Sequence, residues 1–301
     1  MNSIETVDLN HRFSENHIAL DRLNLKVPRG TIYGFLGPNG AGKTTTLKLI
    51  LGLLKKQSGS IFVLGKPFAE NRLEILRQVG SMIESPSLYE HLSATENLQV
   101  LQKVYRCKPQ RINEVLELVN LSDTGKKRAG QFSLGMKQRL SIACALLHEP
   151  SLIILDEPTN GLDPNGILEI RELLKTLNQT QGITILVSSH LLSEIERLVT
   201  HIGIISRGVL KFQGTLPELM NVQRKRSYIT FSTDDSKLTA DIIHDGGIEA
   251  RIDGMSVTLP VLENDRIAHI NRRLVERGIA VSEIKRVDND LEKIFFDVID
   301  S

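Results

Sequence analysis

A glycine-rich segment at residues 37–44 constrains this chain more than any other part of its sequence. It contains a glycine, four free positions and then Gly-Lys-Thr, which is the pattern of a phosphate-binding loop. The apolar run at residues 31–36 predicts a short strand, and the spacing of apolar residues over 45–54 predicts a helix. Strand, loop and helix therefore follow one another in the order that such a loop requires, which indicates an α/β fold.

The residue types in this segment suit the chemistry of nucleotide phosphates. Backbone N–H groups and a helix N-terminus attract negative charge, and glycines let the chain approach the phosphates closely. Lys43 is predicted to reach the β- and γ-phosphates, and the Thr44 hydroxyl to ligate Mg²⁺. The predicted nucleotide-binding residues of the loop are Gly37, Pro38, Asn39, Gly40, Ala41, Gly42, Lys43, Thr44 and Thr45. The alternative is a glycine-rich turn between a core strand and a core helix, and the order of the flanking elements argues against it.

Composition places the chain among ordinary globular proteins. Its 301 residues leave room for about two domains, and 41% of them are hydrophobic and 24% charged. The 37 Lys and Arg residues balance 36 Asp and Glu residues, so the net charge is +1. Composition thus gives no electrostatic reason to expect nucleic acid or an anionic membrane as a partner, and binding to either would need a local patch.

Cysteine usage and hydropathy favour residence in the cytosol. Cys107 and Cys144 form no metal-spaced cluster, and nothing suggests a framework of disulfides. No run of 18 or more apolar residues occurs, and the N-terminus lacks a basic region followed by an apolar core. We therefore expect a protein that neither spans a membrane by itself nor carries a secretion signal.

Periodicity divides the chain into a larger and a smaller domain. Alternating apolar residues at 4–9 and 23–27 predict antiparallel strands, and another strand follows a turn at 58–65. Helical periodicity dominates from 73 to 148, which predicts a helical insertion. Buried strands are predicted at 152–155 and 183–187, a helix at 167–177 and a hairpin at 201–212. The larger domain is expected to span residues 1–220.

The C-terminal part of the chain carries no motif that indicates chemistry. A linker is expected at 221–226 and a small α+β domain at 227–301, with a split β-α-β arrangement as one possibility. Its predicted strands lie at 228–231, 249–252 and 256–259, and its predicted helices at 237–244, 265–276 and 289–297.

Two acidic residues follow the strand predicted at 152–155. The carboxyl ends of strands are where open α/β sheets bind their ligands, so Asp156 is positioned to hold Mg²⁺ through water. Glu157 could polarise an attacking water as a general base. Two exposed acids at the end of a core strand are the alternative, and the phosphate-binding loop upstream favours the functional interpretation.

The segment at residues 132–140 resembles the signature of ABC-type ATPases, whose usual form is Leu-Ser-Gly-Gly-Gln. Ser133 and Gly135 match that form, whereas Leu134 replaces its first Gly and Met136 its Gln. A Ser-x-Gly before a helix is also a common N-terminal cap. The position about twenty residues before Asp156, together with Asp163 and His190 further on, makes the resemblance specific.

The resemblance covers roughly residues 1–220 and implies an ABC-type P-loop NTPase fold with an antiparallel β subdomain and a helical subdomain. It implies that ATP and Mg²⁺ are bound, that Asp163 lies in the D-loop, and that His190 is the switch histidine that contacts the γ-phosphate. Phe13 falls where the family places an aromatic that stacks on adenine, although a lone Phe in a turn is more often packing.

One departure from the family pattern indicates a subfamily. Most members carry a Gln where this chain has Glu84, and the resemblance implies contact of that residue with Mg²⁺ and the attacking water. A carboxylate could bind Mg²⁺ more strongly than an amide, but its charge would face the γ-phosphate. Residues 82–86, the signature segment and residues 291–295 resemble the ATPase subunits of bacitracin and lantibiotic resistance exporters.

The resemblance also implies partners. Two ATP-binding subunits, in the simplest case a homodimer, would face each other so that Ser133 and Gly135 of one complete the site of Lys43 in the other. Separate transmembrane permease subunits would hold the pair at the inner face of the cell membrane, and no nucleic acid is expected.

Three alternatives remain open. A soluble ABC-type ATPase on DNA or ribosomes would need long coiled coils or tandem ATPase domains. The sequence has no sustained heptads, and it has one phosphate-binding loop, at residues 37–44. A phosphate-loop kinase would leave the signature and His190 unexplained. A transporter that senses its substrate instead of exporting it has no distinguishing feature in this chain.

Overall fold

The computed structural model describes residues 1–15, 17–84, 87–224, 228–287 and 298–299. They divide into two compact units, one formed by Met1–Leu216 with Phe295–Ser301 and the other by Pro217–Ile294. In the described part of the chain, no helix combines the length and the apolar character needed to cross a membrane.

The first unit has strands and helices in the following order. Its strands are β1 (Asn2–Ser14), β2 (His17–Leu23), β3 (Lys26–Pro28), β4 (Ile32–Leu36), β5 (Ser58–Val63), β6 (Lys66–Pro67), β7 (Val79–Met82), β8 (Leu152–Asp156), β9 (Thr184–Ser189), β10 (His201–Ser206) and β11 (Val209–Thr215). Its helices are α1 (Lys43–Ile50), α2 (Phe68–Leu76), α3 (Ala94–Tyr105), α4 (Gln110–Leu118), α5 (Leu134–Leu146), α6 (Pro164–Gln181) and α7 (Leu192–Ile195), and α8 (Leu216–Arg224) begins at its last residue.

An antiparallel sheet forms from the N-terminal strands in the order β2-β1-β5-β6, with β3 also paired to β1. Ile4 pairs with Val27 on one neighbour and with Val63 on the other, and Leu9 pairs with Leu23. All of these side chains are buried, because alternate residues of each strand point towards the core. The strand predicted at 4–9 is confirmed as part of β1, whereas the alternation at 23–27 spans a break: β2 ends at Leu23, β3 begins at Lys26, and the two residues between them belong to neither strand.

The second sheet positions the candidate site. Its order is β11-β10-β4-β9-β8-β7, and every neighbouring pair is parallel except β10 with β11. Strands β4, β8 and β9 are buried at every position, as expected for continuous apolar runs covered on both faces. Their carboxyl ends are adjacent, since Leu36 pairs with Ser189 and Asp156 pairs with Ser188.

The helical periodicity predicted from residue 73 to residue 148 does not hold throughout that segment. Residues Val79–Met82 form β7, which pairs in parallel with β8 at the edge of the sheet. The strand is short and contains Gly80, so its alternation is too brief to stand out from the helices around it. Helices α3, α4 and α5 lie between β7 and β8 and make up the helical part of the segment.

The second unit contains a four-stranded antiparallel sheet with two helices. Its elements are β12 (Tyr228–Thr233), α9 (Ser236–Asp245), β13 (Arg251–Asp253), β14 (Ser256–Pro260), α10 (Asn264–Glu276) and β15 (Val281–Val287). The strand order β13-β14-β12-β15 is that of a split β-α-β arrangement, as the sequence suggested. Strand β15 was not predicted, and the helix expected at 289–297 lies outside the described residues.

The segment expected to be a linker begins inside a helix. Helix α8 continues through residues 221–224 and ends at Arg224, and Leu219 one turn earlier is fully buried. The run of basic residues at 224–226 favoured a linker in the sequence, although the apolar residues before it have helical spacing. Residues 225–226 lie outside the described part of the chain.

Candidate functional site

The loop between β4 and α1 needs glycine where the chain is crowded. A Cβ on Gly37 would lie 2.3 Å from the carbonyl oxygen of Ile205, and one on Gly42 would lie 2.7 Å from that of Ala19. Gly42 also has a φ of 108°, which side chains rarely adopt, and it is the N-cap of α1. The loop is therefore held tightly against the sheet, with the N-terminus of α1 at its end.

Lys43 is the first residue of α1 and only 6% exposed. Its ammonium group donates to the carbonyl oxygens of Gly37 at 2.7 Å and Pro38 at 3.3 Å, and lies 3.3 Å from Oε1 of Glu157. The loop thus wraps around a buried cation that is within reach of an anion at the helix N-terminus.

Asp156 ends β8 and has both carboxylate oxygens hydrogen-bonded. The Thr44 hydroxyl donates to Oδ2 at 2.8 Å, and the Ser188 hydroxyl donates to Oδ1 at 2.5 Å. Asp156 is 2% exposed and Ser188 is fully buried, so hydrogen bonds of this kind offset the cost of burying the carboxylate. The oxygen atoms of Thr44 and Asp156 form a donor set that suits Mg²⁺.

Glu157 follows β8 with a left-handed φ of 48°. Its backbone N–H donates to the Ser188 hydroxyl at 2.9 Å, and its Oε2 lies 2.9 Å from Nδ1 of His190. Since a carboxylate only accepts hydrogen bonds, Nδ1 of His190 is the donor. The Glu157 carboxylate therefore joins Lys43 on one side to His190 on the other, where it could accept a proton from a water molecule.

These groups surround a cavity of about 360 Å³. Its walls include Phe13, the loop residues Asn39, Gly40, Gly42, Lys43, Thr44 and Thr45, and the pair Glu157 and His190. Phe13 lies on β1 and not in a turn, is 56% exposed, and has its ring centroid 4.9 Å from that of His11 and 5.5 Å from that of His17. An exposed aromatic residue and the Lys43 ammonium group therefore line the same cavity, which suits a ligand with a flat ring and an anionic group.

Sequence reasoning missed several residues of this site. The cavity is also lined by His17, Ala19 and Asn160, and Ser188 links Asp156 to Glu157 beneath it. His17 and Ala19 belong to no motif and reach the site only through the pairing of β2 with β1. Asn160 lies three residues before Asp163 and Ser188 two residues before His190, but nearness in sequence does not show which side chains face the cavity or Asp156.

The signature residues and the D-loop residue do not line this cavity. Ser133 is the N-cap of α5, where its hydroxyl accepts from the Met136 N–H at 3.3 Å. Asp163 is the N-cap of α6 and accepts from the Gly166 N–H at 3.1 Å. Ser133 and Leu134 are exposed, with Leu134 44% so. Gly135 and Met136 follow them in the first turn of α5.

Glu84 also lies away from the cavity. It follows β7 with a φ of 64°, and its side chain is 63% exposed. Its Oε1 is 2.5 Å from the ammonium group of Lys48 on α1, and both residues line a second cavity of about 410 Å³ with Tyr105 and His148. The structure therefore pairs Glu84 with Lys48, whereas Thr44 and Asp156 contact each other.

Fold and site together define a nucleotide-hydrolysing protein of the phosphate-loop class. The sheet is mostly parallel, a glycine-rich loop leads from β4 into α1, and a carboxylate ends β8 in the same sheet. Comparison with known proteins gives the family. The family model described as ABC transporter matches residues 20–160. The bacitracin transport ATP-binding protein BcrA of Bacillus licheniformis is 45% identical over 98% of this chain and 97% of its own length. The chain therefore belongs to the ATP-binding proteins of the ABC transporter family, and is an ATP-binding and ATP-hydrolysing subunit.

Other relatives agree with this assignment. The lantibiotic transport ATP-binding protein SrtF of Streptococcus pyogenes is 44% identical over 68% of this chain and 90% of its own length. Among solved structures, cbiO1 of Clostridium perfringens, part of the complex cbiONQ, covers 73% of the chain at 28% identity with a TM-score of 0.66. The ATP-binding cassette MJ0796, dimeric and bound to ADP and Pi, covers 71% at 27% identity with a TM-score of 0.63. The family resemblance and the ABC-type fold predicted from the sequence are confirmed.

Proposed function

We propose that this chain drives the export of peptide antibiotics of the bacitracin or lantibiotic type, or their removal from the membrane. The relatives named for bacitracin transport support this substrate class, because the similarity extends over 98% of the chain and reaches past the ATP-binding part. The observation that carries the hydrolytic role is the 3.3 Å contact of Lys43 with Glu157 in one cavity with His190.

In this proposal the phosphate-binding loop holds the triphosphate and Phe13 holds the base. The Lys43 ammonium group, which donates to two loop carbonyl oxygens, would then donate to the β- and γ-phosphates. The exposed face of Phe13 would stack on adenine at the other end of the cavity.

The residues present fit a Mg²⁺ ion. The Thr44 hydroxyl and the Asp156 carboxylate lie 2.8 Å apart, and both supply the oxygen ligands that Mg²⁺ takes. No group of three or more His, Cys, Asp and Glu side chains forms a metal cage within the described ranges, which suits an ion that takes other ligands from phosphate and water. When bound, Mg²⁺ would neutralise charge on the β- and γ-phosphates.

Glu157 is the proposed general base and His190 the residue that orients it. The His190 Nδ1–H donates to Oε2 of Glu157, which leaves the imidazole Nε2 for the γ-phosphate side of the cavity. Thr45, at the start of α1, would add a further contact to the phosphates.

The site is proposed to be completed by a second copy of the chain. Ser133, Leu134, Gly135 and Met136 stand at the N-terminus of α5, outside the cavity, as residues that act on a partner's nucleotide would. Asp163 would lie in the same interface. The pair would bind a separate membrane permease and thus work at the cytoplasmic face of the membrane, with residues 1–220 as the ATP-binding domain and residues 227–301 as an accessory domain.

Drug challenge of living cells tests the proposal. The chain is expressed in a sensitive host together with candidate membrane permeases from its source genome, and the inhibitory concentrations of bacitracin, a lantibiotic and an unrelated ribosome inhibitor are measured. We expect protection against one of the first two drugs alone, and loss of that protection in the Glu157→Gln variant. Normal sensitivity to both peptides, in cells whose chain hydrolyses ATP, would contradict the substrate class.

A further inference from the structure

The carboxylate of Glu194 lies between the two segments that carry Glu157 and His190. These segments follow β8 and β9, which are neighbouring parallel strands. Glu194 stands on the short helix α7, four residues after His190, and its side chain is partly buried. None of the motifs in the sequence includes it.

The shortest hydrogen bond of the Glu194 side chain is the one from Thr159. The Thr159 hydroxyl donates to Oε2 of Glu194 at 2.8 Å, and Thr159 is only 2% exposed. A charged acceptor in a buried setting makes this bond stronger than a neutral one of the same length. Thr159 lies two residues after Glu157 and next to Asn160, which lines the cavity, so the bond holds the connection between β8 and α6 to α7.

Ser189 brings Glu194 close to the histidine. Its buried hydroxyl lies 3.4 Å from Oε2 of Glu194 and 3.1 Å from the carbonyl oxygen of Leu191, and its single proton serves one of them at a time. The Ser189 carbonyl oxygen accepts from the Gly37 N–H at 3.3 Å. The end of β9 therefore contacts the phosphate-binding loop on one side and Glu194 on the other.

Arg171 fixes the helix that presents Glu194. From α6, its guanidinium donates to the backbone carbonyl oxygen of Glu194 and, at 3.0 Å, to that of Ser193. Two donors from one planar group restrict how α7 can turn. The backbone of α7 at Glu194 is thereby restrained independently of the hydrogen bond from Thr159.

We infer that Glu194 is a positioning residue for ATP hydrolysis, and that its bond to Thr159 keeps Glu157 and His190 at the separation the reaction needs. The inference rests on the roles proposed above for Glu157 and His190. A displacement of about 1 Å in such a pair can cost on the order of a hundredfold in rate. Because Lys43 and the loop hold the nucleotide separately, the effect should fall on kcat and leave KM for ATP nearly unchanged.

Matched substitutions on both sides of the bond test this inference in the purified full chain at one fixed concentration. Thr159→Val and Glu194→Ala remove the bond, whereas Thr159→Ser and Glu194→Gln retain a donor and an acceptor. Glu196→Ala is the control, since the Glu196 side chain has no hydrogen bond or ion pair with the described residues. We expect kcat to fall about tenfold or more in the first two variants, alone or combined, and near wild-type values in the other three.

Several results would overturn the inference: an unchanged kcat in Thr159→Val, independent losses that multiply in the double variant, or a loss that appears in KM alone. Thr159→Val nearly conserves volume and keeps the test valid if Glu194→Ala does not fold. The Glu157→Gln variant separates this inference from the proposed roles. If Glu157→Gln turns over ATP normally, those roles fail, and if it is inactive while Thr159→Val and Glu194→Ala are fully active, only the inference fails.

Discussion

The ammonium group of Lys43 and the carboxylate of Glu157 form an ion pair of 3.3 Å, with 6% and 18% of the two side chains exposed. The pair connects the helix that follows β4 to the end of β8, two strands away in the sheet. The second carboxylate oxygen of Glu157 is 2.9 Å from His190. A change at Glu157 therefore acts on the buried ammonium group of Lys43 and on the imidazole of His190 together.

The first prediction concerns the amide variant Glu157→Gln. We expect it to bind ATP and to lose turnover by about a hundredfold or more, because a general base contributes at least that factor and an amide cannot take the proton. ATP should then trap the dimer, which gel filtration with and without ATP measures. Glu172→Gln, at an exposed position of α6, is the control. A monomer under ATP together with full turnover would contradict the assignment of Glu157.

The second prediction concerns the stability of the site. Ser188→Ala removes a buried hydroxyl that donates to Asp156 and accepts from the Glu157 N–H, and leaves both groups short of a partner. We expect a loss of about 1–3 kcal/mol in the free energy of unfolding. Urea titration followed by circular dichroism measures it, with Ser81→Ala at an exposed position of β7 as the control. Equal midpoints for the two variants would show that the hydroxyl adds nothing.

Motifs that are local in sequence predicted the centre of the site. The loop at 37–44, the acids after β8 and His190 after β9 each follow a strand, and the sheet brings the three strand ends together. Ser188 and Glu194 could not be predicted in this way. Their roles depend on which side chain faces Asp156 or Thr159 across the sheet, and sequence spacing does not reveal that.

Strands β7 and β15 were missed for different physical reasons. Strand β7 is four residues long and lies among helices, so the longer period dominates its neighbourhood. In β15 the apolar residues Val281, Ile284 and Val287 recur every third position, which is not the period of a strand. It forms the edge of its sheet and is stabilised by pairing with β12, and none of its side chains is fully buried.

The third prediction distinguishes an effect of the Glu84 carboxylate itself from an effect of its ion pair with Lys48. Both are partly or largely exposed, and an ion pair of this kind contributes about 0–1 kcal/mol, so breaking it should not unfold the chain. The sequence predicts that Glu84 acts on Mg²⁺, which would require its side chain to leave Lys48. In that case Glu84→Gln should keep ATP binding while it changes the rate and its Mg²⁺ dependence.

Lys48→Gln breaks the same pair from the other side and leaves the carboxylate in place. If Glu84 acts on the ion, only Glu84→Gln should shift the Mg²⁺ titration of ATPase activity. The same shift in both variants would assign the effect to the ion pair, and no change in either would show that the carboxylate is incidental.

The last prediction concerns pH and His148. Its ring stacks on Tyr105 at 4.2 Å and 13°, and its Nε2 donates to the Val79 carbonyl oxygen at 3.2 Å. Nδ1 is buried with no hydrogen-bond partner among the described residues. Burial lowers the pKa of His148 below its ordinary value and outweighs the bond to Val79, which raises it. The neutral ring is therefore the form that the fold accommodates.

The sign of the pH effect follows from this lowered pKa. The stability contributed by the neutral His148 ring is complete above the pKa that His148 has in the unfolded chain, about 6.5. That contribution is lost as the pH falls through the lower pKa of His148 in the folded protein. His148→Phe keeps an aromatic ring against Tyr105 but cannot take up a proton, so its melting temperature should fall less between about pH 7.5 and pH 5 than that of the wild type. His91→Phe, at an exposed position beside Tyr89, tests whether the loss of any imidazole has the same effect. Parallel melting curves for the wild type and His148→Phe across this range would contradict the prediction.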